Sequence, residues 1–137
     1  MMALYLASSL VLTGLIWFVQ IVHYPLFDAV KDMSGEYYRL HAAKTGWVVV
    51  LPMVVQMGCA AWFALRPGEW DGGLMRLLFA TVVLVWIATF TLSVPQHNLL
   101  ANGYNEQAVR MLVHTNWIRT VLWSAHAAGL LWIVTKR

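Results

Sequence analysis

Hydrophobic and polar positions divide the chain into four long apolar runs separated by short polar stretches. The first run, Ala3–Tyr24, holds no Asp, Glu, Lys or Arg, and the first charge comes only at Asp28. A bilayer core takes about 20 helical residues to cross. A transmembrane helix is therefore predicted over Ala3–Val22, stopped at His23-Tyr24-Pro25, where proline blocks the helix and pushes the residue before it out of helical geometry. Before the second run, Thr45–Leu65, lies an amphipathic stretch, Asp28–Lys44, in which Ser34 with Glu36 reads as a helix start. The second span is thus predicted as a long helix that passes through His41 and kinks at Pro52. A turn over Arg66–Gly73 leads to the third run, Leu74–Val94, bounded by Pro95. Asn102-Gly103 marks the next turn. Asn105 and Glu106 suit the start of the last helix, predicted over Glu106–Val134 with its embedded part at about 115–134.

Four spans leave both termini on one side and two polar connections on the other. The predicted fold is all-α: a single four-helix transmembrane bundle over residues 1–137, in contact with the lipid bilayer. Trp47 and Trp117 fall at one predicted interface and Trp70 and Trp132 at the other, as an aromatic belt requires. Ser124, Ala125, Ala127, Ala128 and Gly129 give the last helix small residues that let another helix approach closely. A homo-oligomer or a larger membrane complex is a candidate assembly.

Composition agrees with this pattern. The chain is 61% hydrophobic and 11% charged, roughly half the charged share of a soluble domain. Its net charge of +3 is scattered and not striped, so there is no nucleic-acid footprint. Cys59, the one cysteine, sits in an apolar run, which excludes a disulfide framework and a CxxC site. The first run does not read as a cleaved signal: no Lys or Arg precedes its apolar core, and that core is too long. Lys and Arg near the span ends almost tie, with Arg66, Arg76, Lys136 and Arg137 on the terminal side and Lys31, Arg39, Lys44 and Arg110 on the other. Counting Arg119 as embedded leans the balance to termini inside. Compactness and the lack of targeting signals point to a bacterial inner (plasma) membrane.

The topology gathers the histidines. His23 ends the first span, His41 precedes the second, His97 follows the third and His114 precedes the embedded part of the fourth, so all four belong to one membrane face. At 100° per residue, His41, Thr45, Pro52, Gln56 and Cys59 share a stripe of the second helix, and Thr13, Gln20 and His23/Tyr24 one of the first. On the last helix Asn116, Arg119, Trp123 and His126 share a face, whereas His114 points elsewhere. His126 lies seven residues beyond Arg119, roughly 10 Å deeper. An ionisable residue at that depth marks a functional site by default.

Imidazoles on facing helices suit iron, copper or zinc, which makes His23, His41 and His97, with the deeper His126, candidate ligands for a metal or a haem. No Glu-x-x-His pair or embedded carboxylate supports a di-iron site, and no Cys-x-x-Cys-His supports covalent haem. The alternative is that these polar groups, Gln20 and Gln56 among them, hydrogen-bond across helices. Arg119 needs more explanation, because an arginine near hydrocarbon must snorkel or pair. Asn116, one turn back, is its natural helper, and a carbonyl or anionic oxygen of a ligand its natural partner.

His23-Tyr24-Pro25, Pro95-Gln96-His97-Asn98-Leu99-Leu100, and Asn116-Trp117-Ile118-Arg119-Thr120 with Trp123 resemble a family of small four-span membrane proteins that includes the fungal anthrone oxygenases. The resemblance implies a four-helix membrane bundle, oxidation of a polycyclic phenolic carbon in some members, and His97, Asn116, Trp117 and Arg119 as site residues. The expected function is an oxidoreductase-like membrane protein. It would act on a small apolar aromatic or quinone-like substrate, with His97, Arg119, Asn116 and His126 catalytic and Trp117, Trp123, Gln56 and Gln20 around the substrate. The alternatives are a non-enzymatic accessory or structural subunit and a haem- or metal-binding electron carrier.

Overall fold

The computed structural model describes residues 1–136. Four helices are long and apolar enough to cross a membrane: α1 (Met2–His23), α2 (Gly35–Leu65), α3 (Gly72–Leu100) and α4 (Glu106–Thr135). They pack as an antiparallel bundle in which each helix touches its neighbours in chain order and α4 closes the ring onto α1. The chain is an integral membrane protein by the length and composition of these helices.

The helix ends reflect the local chemistry. Asp71 accepts a hydrogen bond from the Leu74 N–H (2.7 Å) and Asn105 one from the Ala108 N–H (2.9 Å), each taking up a donor that the first turn leaves unpaired. α1 stops at His23 as expected, and a 3-10 turn over Pro25–Val30 folds Phe27 inward. Ser34 is the N-cap of α2 in extended backbone, and the helix runs unbroken past Pro52.

One boundary departs from expectation. Pro95 does not end the third span; the helix continues to Leu100. A π turn over Thr89–Ser93 lies directly before the proline. Its wider ring opens the hydrogen-bond ladder where the pyrrolidine would otherwise meet the carbonyl four residues back, so the helix absorbs Pro95. A second π turn, Val19–His23, forms the last turn of α1.

The interior falls into three zones. Toward the termini, Tyr5, Cys59, Ala60, Phe63, Met75, Leu78, Val82, Leu130 and Ile133 form a closely packed core. Leu12, Ile16, Met53, Val85 and Trp123 form the middle. At the opposite face Tyr24, Phe27, Tyr38, Leu100, Ala108, Val109 and Leu112 close the bundle. There, Tyr104 donates to Asp28 (2.7 Å), tying the α3–α4 loop to the 3-10 turn. That hydrogen bond pushes the phenol up to about 12, so the tie keeps its proton throughout the neutral range.

Gly35 lets α2 start against the α3–α4 loop: a Cβ there would collide with the Ala101 carbonyl oxygen, the acceptor to which Arg39 donates (2.8 Å). Gly35→Ala is expected to cost about 1–3 kcal/mol by overpacking. Gly14→Ala, where a Cβ meets nothing within 4 Å, should gain up to about 1 kcal/mol of helix propensity. Denaturant unfolding in detergent micelles compares the two.

Candidate functional site

The π turns stand on either side of the candidate site. Each puts one extra residue into its helix and so rotates the residues beyond it by about 100°. On α1 the turn precedes Tyr24, and on α3 it precedes His97. The rings of these two residues meet, with Tyr24 Oη 3.1 Å from His97 Nε2.

Arg119 of α4 completes the group. It is 7% exposed. Its Nη2 donates to Tyr24 Oη (3.3 Å) and to Asn116 Oδ1, one turn back on the same helix. Asn116 is fixed in turn, because its Nδ2 donates to Gln20 Oε1 (2.9 Å) while Gln20 Nε2 donates to the Val113 carbonyl (3.2 Å). Since Tyr24 Oη accepts from the guanidinium, its own proton is free to go to His97 Nε2. The donors therefore run in one direction, from Arg119 to Tyr24 to His97.

A cavity of about 360 Å³ lies beside this group. Its back wall is buried and includes Leu12, Ile16, Arg119 and Trp123; Tyr24 and His97 line it at the histidine-bearing end. Two of its lining residues carry a buried N–H without a partner: Arg119 Nε and Trp86 Nε1. The embedded parts of the spans hold no Asp or Glu, and the salt bridge among the described residues, Arg110–Glu106, lies on the exposed surface. Arg119 is thus a buried cation without a counter-anion, beside a space walled mainly by apolar and aromatic groups.

The other expected residues divide clearly. His23 and His41 stack (centroids 4.4 Å apart), with His23 Nε2 2.9 Å from His41 Nδ1, and the His41 ring lies 5.6 Å from that of His97. Three of the four histidines assigned to this face therefore meet, and His114 is exposed and apart from them. His126 belongs to a separate place deep in the bundle. Its Nδ1 is 2.8 Å from Thr81 Oγ1 and its ring packs edge-on to Tyr5 at 5.4 Å, leaving His126 Nε2 and Tyr5 Oη unpartnered. Trp123 lines the cavity, but Trp117 packs edge-on to Trp17 on the outside of the bundle, 42% exposed. Gln20 and Gln56 do not line the cavity; they are interhelical tethers. Gln56 accepts from Trp123 Nε1 (3.0 Å) and donates to Ser9 Oγ (3.1 Å), joining three helices.

The metal expectation finds no support in this arrangement. Among the described residues, no group of three or more His, Cys, Asp or Glu is placed to hold a metal ion. His23 and His41 turn their nitrogens toward each other, and His97 Nε2 faces Tyr24. Among the described residues His97 is the one histidine lining the cavity.

Helical phase put Tyr24 on the polar stripe of the first helix but not among the site residues, and it did not bring forward Trp86. A tryptophan inside an apolar run gives no sign of an unpaired N–H, and the π turn that aims Tyr24 leaves no mark in hydropathy.

Gln56→Leu leaves the buried Trp123 N–H unsatisfied and is expected to cost about 1–3 kcal/mol. Unfolding in detergent measures the loss. Compared with protein-family models, with curated proteins and with solved structures, the chain finds no match.

Proposed function

We propose that the protein binds a compact aromatic molecule bearing one acceptor oxygen, a phenolate or a carbonyl, in the cavity beside Arg119. The observation that carries this reading is the surplus of donors. Arg119 Nε and Trp86 Nε1 are buried without partners on residues lining an otherwise apolar space. An unmet buried N–H costs about 1–3 kcal/mol, and a ligand oxygen removes that cost. About 360 Å³ lies at the small end of ligand pockets, which span roughly 300–1,000 Å³. Trp86, Phe90 and Trp123 favour a flat ring.

The site chemistry extends to one proton. A bound phenol would lie beside Tyr24, whose hydroxyl is hydrogen-bonded to His97 Nε2. The phenol gives its proton to Tyr24 Oη as Tyr24 passes its own to His97, and the resulting phenolate rests against the guanidinium. A neutral imidazole is suited to that task near neutral pH. Oxidation of the ligand, which the resemblance to anthrone oxygenases implies, would start from this anion and would need an external oxidant such as dioxygen to take up its electrons. A bacterial inner membrane remains the proposed location.

2-Naphthol tests the reading, because its absorption distinguishes the neutral and ionised forms. With the protein in nanodiscs, 2-naphthol is expected to bind roughly 10- to 100-fold more tightly than naphthalene, the value of about 1.5–3 kcal/mol for a hydrogen bond to a charged group. Arg119→Gln should erase that preference. Asn116→Asp should erase it too, because it supplies the missing counter-anion from within, at the cost of the hydrogen bond to Gln20 Oε1. His97→Gln should leave the probe bound in its neutral form. Equal binding of naphthalene and 2-naphthol by the natural protein would overturn the proposal and favour a structural subunit.

A further inference from the structure

The cavity is not sealed toward the side of the bundle. Its back, from α1 and α4, is buried, but Val50 of α2 and Phe90 of α3 both line it and are 54% and 58% exposed. Those two helices pack closely near the termini, where Cys59, Ala60 and Phe63 meet Met75, Leu78 and Val82. Beside them, Val49 and Met53 of α2 and Val85 and Trp86 of α3 share a packed cluster, but Val50 and Phe90 themselves belong to no buried cluster among the described residues. Each helix has a local reason to diverge there. Pro52 removes an N–H from the α2 ladder, and the π turn over Thr89–Ser93 widens α3 at the facing position.

Depth identifies what lies outside this gap. Val50 is five residues inside the predicted start of span two, and Phe90 is four before the predicted end of span three. At 1.5 Å per residue both lie roughly 6–8 Å below the interface, within a hydrocarbon core about 30 Å thick. Arg119 is four residues past Thr115, at a similar depth. The gap therefore faces acyl chains, at the level of the guanidinium.

We infer that the site exchanges its ligand sideways with the bilayer, through a portal between α2 and α3 rimmed by Val50 and Phe90, so that its ligand is an aromatic amphiphile dissolved in the lipid phase. The identity of the ligand rests on the proposed function; the portal does not. The competing route passes the exposed Asn98 at the aqueous end of the cavity. Phe27, Tyr38 and Leu100 belong to the buried cluster that closes that end of the bundle, and the His41 ring lies 5.6 Å from that of His97. The portal rim, by contrast, is wholly apolar and suits a molecule arriving from lipid.

Two measurements test this, one of which needs no ligand. Gly46 lines the cavity and a Cβ there meets nothing within 4 Å, so a nitroxide on Gly46→Cys in a Cys59→Ala background samples the cavity itself; Ser93→Cys, at a buried lining position, serves if the first variant does not fold. In phosphatidylcholine vesicles the label is expected to collide with lipid-soluble oxygen and to be shielded from a water-soluble nickel chelate. The reverse pattern would overturn the portal. In stopped flow, with 2-naphthol delivered in the lipid phase, Phe90→Ala should raise the association rate by about tenfold, and Val50→Trp should lower the association and dissociation rates together with Kd unchanged. Asn98→Trp should leave both rates as they are. Rates that respond to Asn98 and not to Val50 or Phe90 would replace the lateral route with the aqueous one. Loss of 2-naphthol binding by the natural protein would sink the ligand reading, and the spin label would still decide the portal.

Discussion

A guanidinium held inside a bilayer without a carboxylate is the constraint on which the rest of the site depends. A guanidinium offers only donors and accepts nothing, and hydrocarbon has no acceptor to give it. The bundle answers with neutral oxygens, those of Asn116 and Tyr24. These stabilise the cation without cancelling it, so a positive field remains directed at the cavity. A native aspartate nearby would have removed that field and with it the reason for a cavity.

Holding neutral partners in place requires further bonds, and these are what knit the helices together. Asn116 is held by Gln20 of α1, and Gln20 by the backbone of α4. About two turns deeper, Trp123 is held by Gln56 of α2, which reaches Ser9 of α1. Gln56, Asn116 and Trp123 thus spend donors on a neighbouring helix, as Gln20 does on α4, where packing alone gives little preference for one partner over another. Gly129 adds close approach on the other side of α4, where a Cβ would come 3.2 Å from the Leu78 side chain. Alignment of α1, α2 and α4 and polarity of the site are two results of one network.

Much of this was legible in the sequence. Four charge-poor runs of bilayer length leave little choice of fold, and spacings of three and four residues placed Asn116, Arg119, Trp123 and His126 on one face of α4, all of them buried. Counting spans brought His23, His41 and His97 to one end. What helical phase cannot supply is the identity of the facing helix. Gln20 and Gln56 looked toward the interior and so looked like substrate contacts, yet their partners are protein. His126 shares a face with Arg119 but sits beyond Trp123, against Tyr5 and Thr81, in a different compartment. Trp117 sits next to Asn116 in sequence, and the helical turn sends it outward. Pro95 looked like a terminator because composition does not reveal the π turn before it.

That π turn has a consequence for how the protein can vary. Thr89–Ser93 holds one residue more than an α-helical turn requires. Deleting any one of the five would restore a regular ladder, keep the span apolar and long enough to cross the bilayer, and turn everything from Val94 onward by about 100°. His97 would swing away from Tyr24, and Pro95 would lose the widened turn that accommodates it. Among related chains, a gap of one residue at this point would therefore separate those that keep the site from those that keep only the bundle, although both would have the same hydropathy profile.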